Sequence, residues 1–166
     1  MLMCEPKPVI LVVDDLETNR EILADILRDD GYMVRTASNG AEALRMAACA
    51  DVILLDMFMP GMDGLTVCRL LQANPQTEHI PVLFLSGCMN SCVRKLALEA
   101  GAHDFLEKPI TATALRSKLA AARHMPQGLP TRQRHAAFIL AVEQARETHE
   151  AIHVETHRAF YASAML

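Results

Sequence analysis

The sequence lacks the long apolar run that a membrane-spanning helix requires. No apolar stretch approaches the length of about 18 residues needed to cross a bilayer. Glu5, Lys7 and the prolines beside them interrupt the N-terminus before the apolar core of a signal peptide could form. We therefore expect a soluble, cytoplasmic chain that makes no membrane contact.

Positive charge and paired-cysteine motifs are also scarce. The net charge of -4 gives no reason to expect a nucleic acid as a partner. The five cysteines are irregularly spaced and form no C-x-x-C motif. Four of them lie in apolar or helical contexts, which predicts reduced thiols that act as small apolar side chains. Cys88 and Cys92 are close enough in sequence to leave a redox switch as a less favoured alternative.

Apolar residues, by contrast, are plentiful, and they alternate between two kinds of segment. They make up 51% of 166 residues, enough for one domain with an appendage. Short apolar runs typical of buried strands alternate with segments of helical periodicity. Five such alternations predict an α/β fold with an open, mostly parallel sheet covered on both faces. The predicted strands are 8–13, 32–37, 51–56, 81–86 and 103–108.

Capping signals mark the predicted helices. Thr18 and Glu21 have capping-box spacing before a face formed by Ile22, Leu23, Ile26 and Leu27. Asn39, with Glu42 three residues later, predicts the start of the second helix. The remaining helices are expected at about 64–73, 90–100 and 111–123.

Polar side chains lie where four of these strands end. Strand one ends in Asp14 and Asp15, strand three in Asp56, strand four in Ser86 and strand five in Lys108. Because the carboxyl ends of parallel strands share one edge of the sheet, these groups are expected to converge there.

The converging groups have a definite chemistry. Clustered carboxylates repel one another, so Mg²⁺, which prefers oxygen ligands, is the natural counter-ion. A lysine and a serine add the fixed charge and the hydroxyl donor that a phosphoryl group needs. The cluster therefore predicts an aspartyl nucleophile, Asp56, acting with a magnesium ion.

These residues resemble the receiver domain of two-component response regulators. The resemblance rests on Asp14-Asp15, the Asp-x-x-Met-Pro of 56–60 with a following glycine, Ser86 and Lys108-Pro109, and it covers about residues 8–123. It implies the flavodoxin-like (βα)5 fold, a doubly wound parallel sheet with strand order 2-1-3-4-5. We expect a receiver domain at 1–123, a linker at 124–130 and a C-terminal helical extension at 131–166.

The resemblance also implies roles for the site residues. Asp56 would accept a phosphoryl group from a phosphohistidine on a sensor histidine kinase or a histidine phosphotransfer protein. Asp15, Asp56 and the backbone carbonyl of Phe58 would hold Mg²⁺ directly, and Asp14 would act mostly through water. Lys108 would assist the transfer.

A switch is implied as well. Ser86 would turn to the phosphoryl oxygen and Phe105 would move inward behind it. This movement would repack the surface of the fourth helix, fifth strand and fifth helix for partner binding or dimerisation. A plain core role for Phe105 is the alternative. The bulky Phe58 side chain, two residues after Asp56, is expected to shield the acyl phosphate from water.

Two other functional classes fit the sequence less well. A haloacid-dehalogenase-like phosphatase would need a second Asp two residues after the nucleophile, where Phe58 stands instead. A flavin-binding electron carrier would need a loop rich in Ser, Thr and Gly after strand one, where the sequence has acidic DDLETN. The favoured interpretation is a signalling receiver with no output enzyme in this chain.

The C-terminal segment carries a different pattern. Residues 131–160 contain no Gly or Pro and have a weak heptad seam, which predicts a helix that mediates homodimerisation or docks on another helix. His149, His153 and His157 are spaced to share a helix face. Their chelation of a transition metal is a less favoured alternative to plain exposure.

Overall fold

The computed structural model describes residues 6–88 and 90–124. Their five strands form one parallel sheet in the order β2-β1-β3-β4-β5, which confirms the flavodoxin-like α/β fold predicted from the sequence. The strands are β1 (Val9–Val13), β2 (Met33–Ala37), β3 (Val52–Asp56), β4 (Val82–Ser86) and β5 (Asp104–Glu107). The helices are α1 (Glu17–Asp29), α2 (Gly40–Met46), α3 (Gly64–Ala73), α4 (Ser91–Glu99) and α5 (Ala112–Arg123), with a short 3₁₀ turn at Ala47–Cys49 that the sequence did not predict.

The sheet is buried on both faces because alternate residues of its strands serve two separate apolar layers. In β1, Leu11 packs in the layer that contains Val67 of α3, and Ile10 packs in the layer that contains Leu27 of α1. Every residue of β3 and β4 is buried. Such double burial requires continuous apolar runs, and these were the basis of the strand predictions.

The register brings the ends of the strands to one level. Val13 pairs with Leu55, so Asp14 lies one step along β1 beside Asp56, the last residue of β3. Asp56 pairs in turn with Leu85, and this places Ser86 at the end of β4. The sheet therefore gathers these three polar residues along one edge.

Helix α1 begins differently from the prediction. The capping box of Thr18 and Glu21 was wrong, because α1 already begins at Glu17 and its N-cap, Leu16, makes no side-chain capping hydrogen bond. The backbone N–H of Leu16 instead donates to Oδ1 of Asp14 at 2.9 Å, which turns the chain into the helix early. Of the predicted apolar face of α1, Leu23 and Leu27 are buried, but Ile22 is 54% exposed.

Helix α2 begins as predicted. The Asn39 side chain accepts a hydrogen bond from the N–H of Glu42 at 2.9 Å, and the Glu42 carboxylate accepts one from the N–H of Ser38 at 2.8 Å. This reciprocal arrangement satisfies two backbone donors that the helix itself leaves unpaired. Side-chain caps also begin the later helices α3, α4 and α5, at Asp63, Asn90 and Thr111.

The four cysteines within the described residues divide into two groups. Cys68 is buried against the sheet, where burial raises the pKa of its thiol to about 12, and it fits the predicted role of a small apolar side chain. Cys49, Cys88 and Cys92 are free thiols, as predicted, but they are exposed, so the expected apolar packing was wrong there. It rested on apolar neighbours in the sequence, which did not report which way each side chain faces.

The C-terminal predictions lie outside the described residues. This holds for most of the 124–130 linker, for the 131–166 extension with its seam, and for the three spaced histidines. Within the described part of the chain, no helix is both long and apolar enough to cross a membrane.

Candidate functional site

Asp14 is a buried carboxylate surrounded by hydrogen-bond donors. Its side chain is fully buried just beyond the end of β1. Oδ1 accepts from the N–H of Leu16 at 2.9 Å, and Oδ2 accepts from the ammonium of Lys108 at 2.9 Å. The side-chain amide of Asn19 donates to both oxygens, at 3.3 and 3.1 Å. These donors compensate the cost of burying the charge and fix the plane of the carboxylate.

Lys108 links this carboxylate to the end of β3. Its Nζ also donates to Oδ1 of Asp56 at 3.1 Å, so one ammonium contacts two acids from different strands. Burial alone would lower the pKa of Lys108, but the hydrogen bonds and charges of Asp14 and Asp56 outweigh burial and raise it. The lysine therefore supplies a permanent positive charge at the edge of the sheet.

Asp56 is less compensated than Asp14. Burial is the largest influence and raises the pKa of its carboxyl, and the neighbouring charge of Asp14 adds to this. The hydrogen bond and charge of Lys108 and the N–H of Phe58 act in the opposite direction, yet the pKa remains above its ordinary value of 3.8. A carboxylate held in this way gains from any further cation placed beside it.

Asp15 completes an acidic cluster with Asp14 and Asp56. One oxygen from each of the three lies within 4.8 Å of the others. Asp15 is only partly buried, so the cluster opens to solvent on that side. A converging set of carboxylate oxygens, open to water, is the donor set that a hard divalent cation such as Mg²⁺ requires.

Ser86 lies at the end of β4 with its hydroxyl turned to its own chain. Its Oγ donates to the carbonyl of Cys88 at 2.9 Å and accepts from the N–H of Cys88 at 3.2 Å. The residue is fully buried. In this conformation the hydroxyl is committed to the β4–α4 loop and has to leave the Cys88 carbonyl before it can donate elsewhere.

The loop after Asp56 depends on two glycines. Gly61 has a φ of +76°, a conformation that side chains with a Cβ rarely adopt, and follows Pro60 in a tight turn. At Gly64, where α3 begins, a Cβ would collide with the carbonyl oxygen of Asp56 and lie 2.9 Å from Cα of Met57. The glycine therefore allows α3 to start directly against the end of β3.

The chain matches a known family over most of the described residues. The model of the response regulator receiver domain matches residues 10–120. This chain belongs to the response regulator receiver family. Members of that family are signalling domains of two-component systems, and acceptance of a phosphoryl group is general among them.

Curated relatives share the receiver but are longer than the matched segment. Response regulator PleD of Caulobacter vibrioides is 52% identical over 103 residues, which cover 61% of this chain and 23% of PleD. A probable cyclic di-GMP phosphodiesterase of Vibrio cholerae is 38% identical, over 66% of this chain and 25% of the relative. The chain thus spans about a quarter of the length of these relatives.

Solved structures agree with the receiver fold. The chemotaxis protein CheY4 of Vibrio cholerae is 31% identical, with a TM-score of 0.68 over 70% of this chain and 99% of CheY4. The receiver domain of sensor histidine kinase PA1611 from Pseudomonas aeruginosa is 29% identical, with a TM-score of 0.66 over 71% of this chain and 98% of that domain. That structure has a magnesium ion coordinated in its active-site cleft.

The two aromatic residues expected to serve the receiver site differ in environment. Phe105 of β5 is buried, with 6% exposure, in the same apolar layer as Phe84 and Ala97. This position accords with the switch interpretation and with the plain core interpretation alike. Phe58 is 60% exposed, so its side chain covers little apolar surface of the receiver itself.

Two polar residues that contact the site did not emerge from the sequence. Asn19 contacts the carboxylate of Asp14, and Nη1 of Arg20 donates to the carbonyls of Asp14 at 2.6 Å and of Asp15 at 3.1 Å. Both lie in the first turns of α1, where apolar periodicity draws attention to the opposite face. Long polar side chains that follow a pair of acids by one helical turn are the signal that would have identified them.

Proposed function

We propose that Asp56 of this receiver accepts a phosphoryl group from the phosphohistidine of a sensor histidine kinase or a histidine phosphotransfer protein. A carboxylate oxygen of Asp56 attacks phosphorus, an acyl phosphate O–P bond forms, and the N–P bond to the imidazole breaks. The observation that carries this proposal is the contact of one ammonium, on Lys108, with both Asp14 and Asp56 inside a cluster of three carboxylates.

Lys108 has the position needed to assist this transfer. Its ammonium lies 3.1 Å from Oδ1 of Asp56 and carries a charge that its two acid partners keep in place. A fixed cation at this point stabilises the negative oxygens of the transferring group without reorganisation. Its second contact, with Asp14, restricts the movement of the lysine while the reaction proceeds.

A magnesium ion fits the acidic cluster. We propose that Asp15, Asp56 and the backbone carbonyl of Phe58 hold it, with Asp14 acting mostly through water. Asp14 suits an indirect role because the Leu16 N–H, Asn19 and Lys108 already occupy its oxygens. Bound there, the ion would neutralise charge on both the carboxylate and the phosphoryl group. The magnesium ion in the PA1611 receiver supports this proposal.

Ser86 and Phe105 would couple the modification to a partner surface. The Ser86 hydroxyl would exchange its bond to the Cys88 carbonyl for one to a phosphoryl oxygen. We propose that Phe105 then moves inward and that the surface of α4, β5 and α5 repacks. That surface would bind a partner or a second copy of the chain, and the receiver would act in the cytoplasm without an enzymatic activity of its own.

The test of the acceptor residue is phosphorylation by a small-molecule phosphoryl donor. Acetyl phosphate with Mg²⁺, followed by intact-mass spectrometry, is expected to show one phosphoryl group on the wild type and none on Asp56→Asn. Asp29→Asn, which removes an exposed carboxylate at the end of α1, is the matched control and should remain a substrate. Undiminished modification of the Asp56→Asn variant would overturn the assignment.

We also propose that residues 131–160 form a helix that mediates self-association or docks on another chain. The support is the sequence pattern alone, a long helical segment with a narrow apolar seam. Sedimentation of the full chain beside a chain ending at Arg123 tests it. The full chain is expected to associate and the shorter one to remain monomeric, and equal behaviour of the two would contradict the proposal.

A further inference from the structure

Two side chains of α1 donate hydrogen bonds to the acidic pair at the end of β1. Asn19 and Arg20 both reach back from the first turns of the helix, and together they contact every polar group of Asp14 that accepts a hydrogen bond. The roles proposed above use Asn19 only as one of the donors that occupy the Asp14 oxygens, and they assign no role to Arg20. Their contacts therefore call for a separate explanation.

Asn19 controls the orientation of the Asp14 carboxylate. Its amide nitrogen lies between the two oxygens, 3.3 Å from Oδ1 and 3.1 Å from Oδ2. The amide thus favours a plane in which Oδ2 also meets the ammonium of Lys108 at 2.9 Å. Without it, the carboxylate could rotate about its Cβ–Cγ bond and lose the alignment with Lys108.

Arg20 acts on the backbone of the same two acids. Its Nη1 donates to the carbonyl of Asp14 at 2.6 Å and to the carbonyl of Asp15 at 3.1 Å. These bonds fix two consecutive peptide groups. Because the backbone is fixed there, the direction of the Asp15 side chain is fixed as well. The same bonds also bring a permanent positive charge to the backbone of the acidic pair through carbonyl oxygens alone, which leaves the carboxylate oxygens available for a cation.

We propose that Asn19 and Arg20 are positioning residues that preorganise Asp14 and Asp15 for a divalent cation. The inference deepens the proposed function and rests on its magnesium site. Groups that orient metal ligands without touching the metal commonly change metal affinity by about 10-fold to 100-fold. We place Arg20 near the lower end of that range, because it acts through the backbone.

Magnesium binding by the full chain is the direct test. Calorimetric titration with Mg²⁺ is expected to give a dissociation constant about tenfold weaker for Arg20→Gln and for Asn19→Ala than for the wild type. Arg28→Gln is the matched control, since it removes the same charge from an exposed position of the same helix and should leave the constant unchanged. Urea unfolding without Mg²⁺ checks that each variant is folded.

A conservative variant separates positioning from mere support of the helix. One nitrogen of Arg20 makes both contacts, so the ammonium of Arg20→Lys can donate to the same two carbonyls and should restore most of the affinity. Phosphorylation by acetyl phosphate should slow in Arg20→Gln at low Mg²⁺ and recover at saturating Mg²⁺. A Gln variant that binds Mg²⁺ as well as the Arg28 control, or a Lys variant no better than Gln, overturns the inference.

The outcomes also distinguish this inference from the proposed function. If the wild type binds Mg²⁺ and the variants bind it more weakly, but no phosphoryl group is transferred, the proposed function fails and the positioning role stands. If the wild type is phosphorylated and the variants match it at every Mg²⁺ concentration, the positioning role fails alone.

Discussion

Two lysines ten residues apart in the C-terminal part of the receiver form ion pairs with buried aspartates, and the pKa values of the two lysines shift in opposite directions. Lys108 contacts Asp14 and Asp56, and its pKa is raised. Lys118 of α5 contacts Asp104 of β5 at 2.9 Å; burial lowers its pKa, and the nearby charge of Arg94 adds to this. Lysine and aspartate therefore form an ammonium that keeps its proton more strongly than usual at Lys108, and one that loses its proton more easily than usual at Lys118.

The difference follows from how many charges share each site. At the edge of the sheet three carboxylates lie close together and two of them contact one ammonium, so negative charge remains for a further cation to neutralise. At Lys118 one carboxylate contacts one ammonium with the charge of Arg94 nearby, so no negative charge is in excess, and burial is nearly complete for both members of the pair. The acidic cluster with Lys108 can therefore bind a further cation and take part in a reaction. The Lys118–Asp104 pair has no excess negative charge, and its role is to stabilise the fold.

The largest expected effect separates the two lysines by activity. Lys108→Ala should slow phosphorylation of Asp56 by acetyl phosphate about 100-fold, because it removes a preorganised charge from the transferring group. Lys118→Met, which removes the other buried ammonium, should leave the rate near that of the wild type. Time courses by intact-mass spectrometry measure both. Equal rates for the two variants would erase the functional distinction between the pairs.

The second prediction separates the pairs by stability. Asp104→Asn should lower the free energy of unfolding by about 3 kcal/mol, because it leaves the Lys118 ammonium buried without its counter-charge. Asp25→Asn is the control, since its pair with Arg28 is exposed and should contribute no more than about 0.5 kcal/mol. Urea denaturation measures both values. A cost for Asp104→Asn as small as that of the control would contradict a structural role for the Lys118 pair.

The third prediction uses pH. Because the pKa of Asp56 is raised in the folded state, protonation of its carboxyl favours the folded protein. This contribution is fully present below the ordinary pKa of 3.8 and is lost as the pH rises through the raised value. Without Mg²⁺, the wild type should therefore gain stability relative to Asp56→Asn as the pH falls through that interval.

With Mg²⁺ present, protonation of Asp56 should lower the stability of the folded protein instead of raising it. A protonated Asp56 cannot bind the cation, so stabilisation by Mg²⁺ should disappear as the pH falls through the raised pKa. Urea denaturation across the pH range, with and without Mg²⁺, measures both slopes. Parallel curves for the wild type and Asp56→Asn would show that the carboxyl does not titrate as described.

The smallest expected effect concerns the open side of the site. Phe58→Asn should shorten the lifetime of the phosphoryl group by about threefold, because an aromatic side chain that is 60% exposed shields an acyl phosphate only in part. Leu70→Asn replaces an exposed apolar residue of α3 and serves as the control. Loss of the phosphoryl group after removal of the donor is followed by mass spectrometry. An unchanged lifetime would argue against shielding.

The fold and the identity of the strand-end residues were predictable from local pattern. Strands such as Val52–Asp56 are buried on both faces and so appear as unbroken apolar runs, and a polar residue at the end of such a run marks the edge of the sheet. The Asn39 cap was predictable for a similar reason, since its partner Glu42 lies only three residues away. In these cases the interacting groups are close in sequence.

Predictions failed where the environment of a side chain depends on distant residues. Ile22 lies at the border of the apolar face of α1. Its exposure depends on how the helix is rotated against the sheet, which the sequence of the helix does not specify. The capping box at Thr18 failed because Asp14, a residue of the preceding loop, took over the first turn of the helix. Cys88 was taken for a small apolar residue, but its loop runs along the surface.

By itself, the sequence determined the order of strands and helices and the five polar residues that end the strands, because periodicity and turn residues are local properties of the chain. The tertiary structure alone decided that one ammonium meets two carboxylates from different strands, that Ser86 turns its hydroxyl to the Cys88 backbone, and that α1 holds the acidic pair from behind. These contacts depend on strand register and on the direction of each side chain. Both are set by the packing of the whole sheet, which no short stretch of sequence contains.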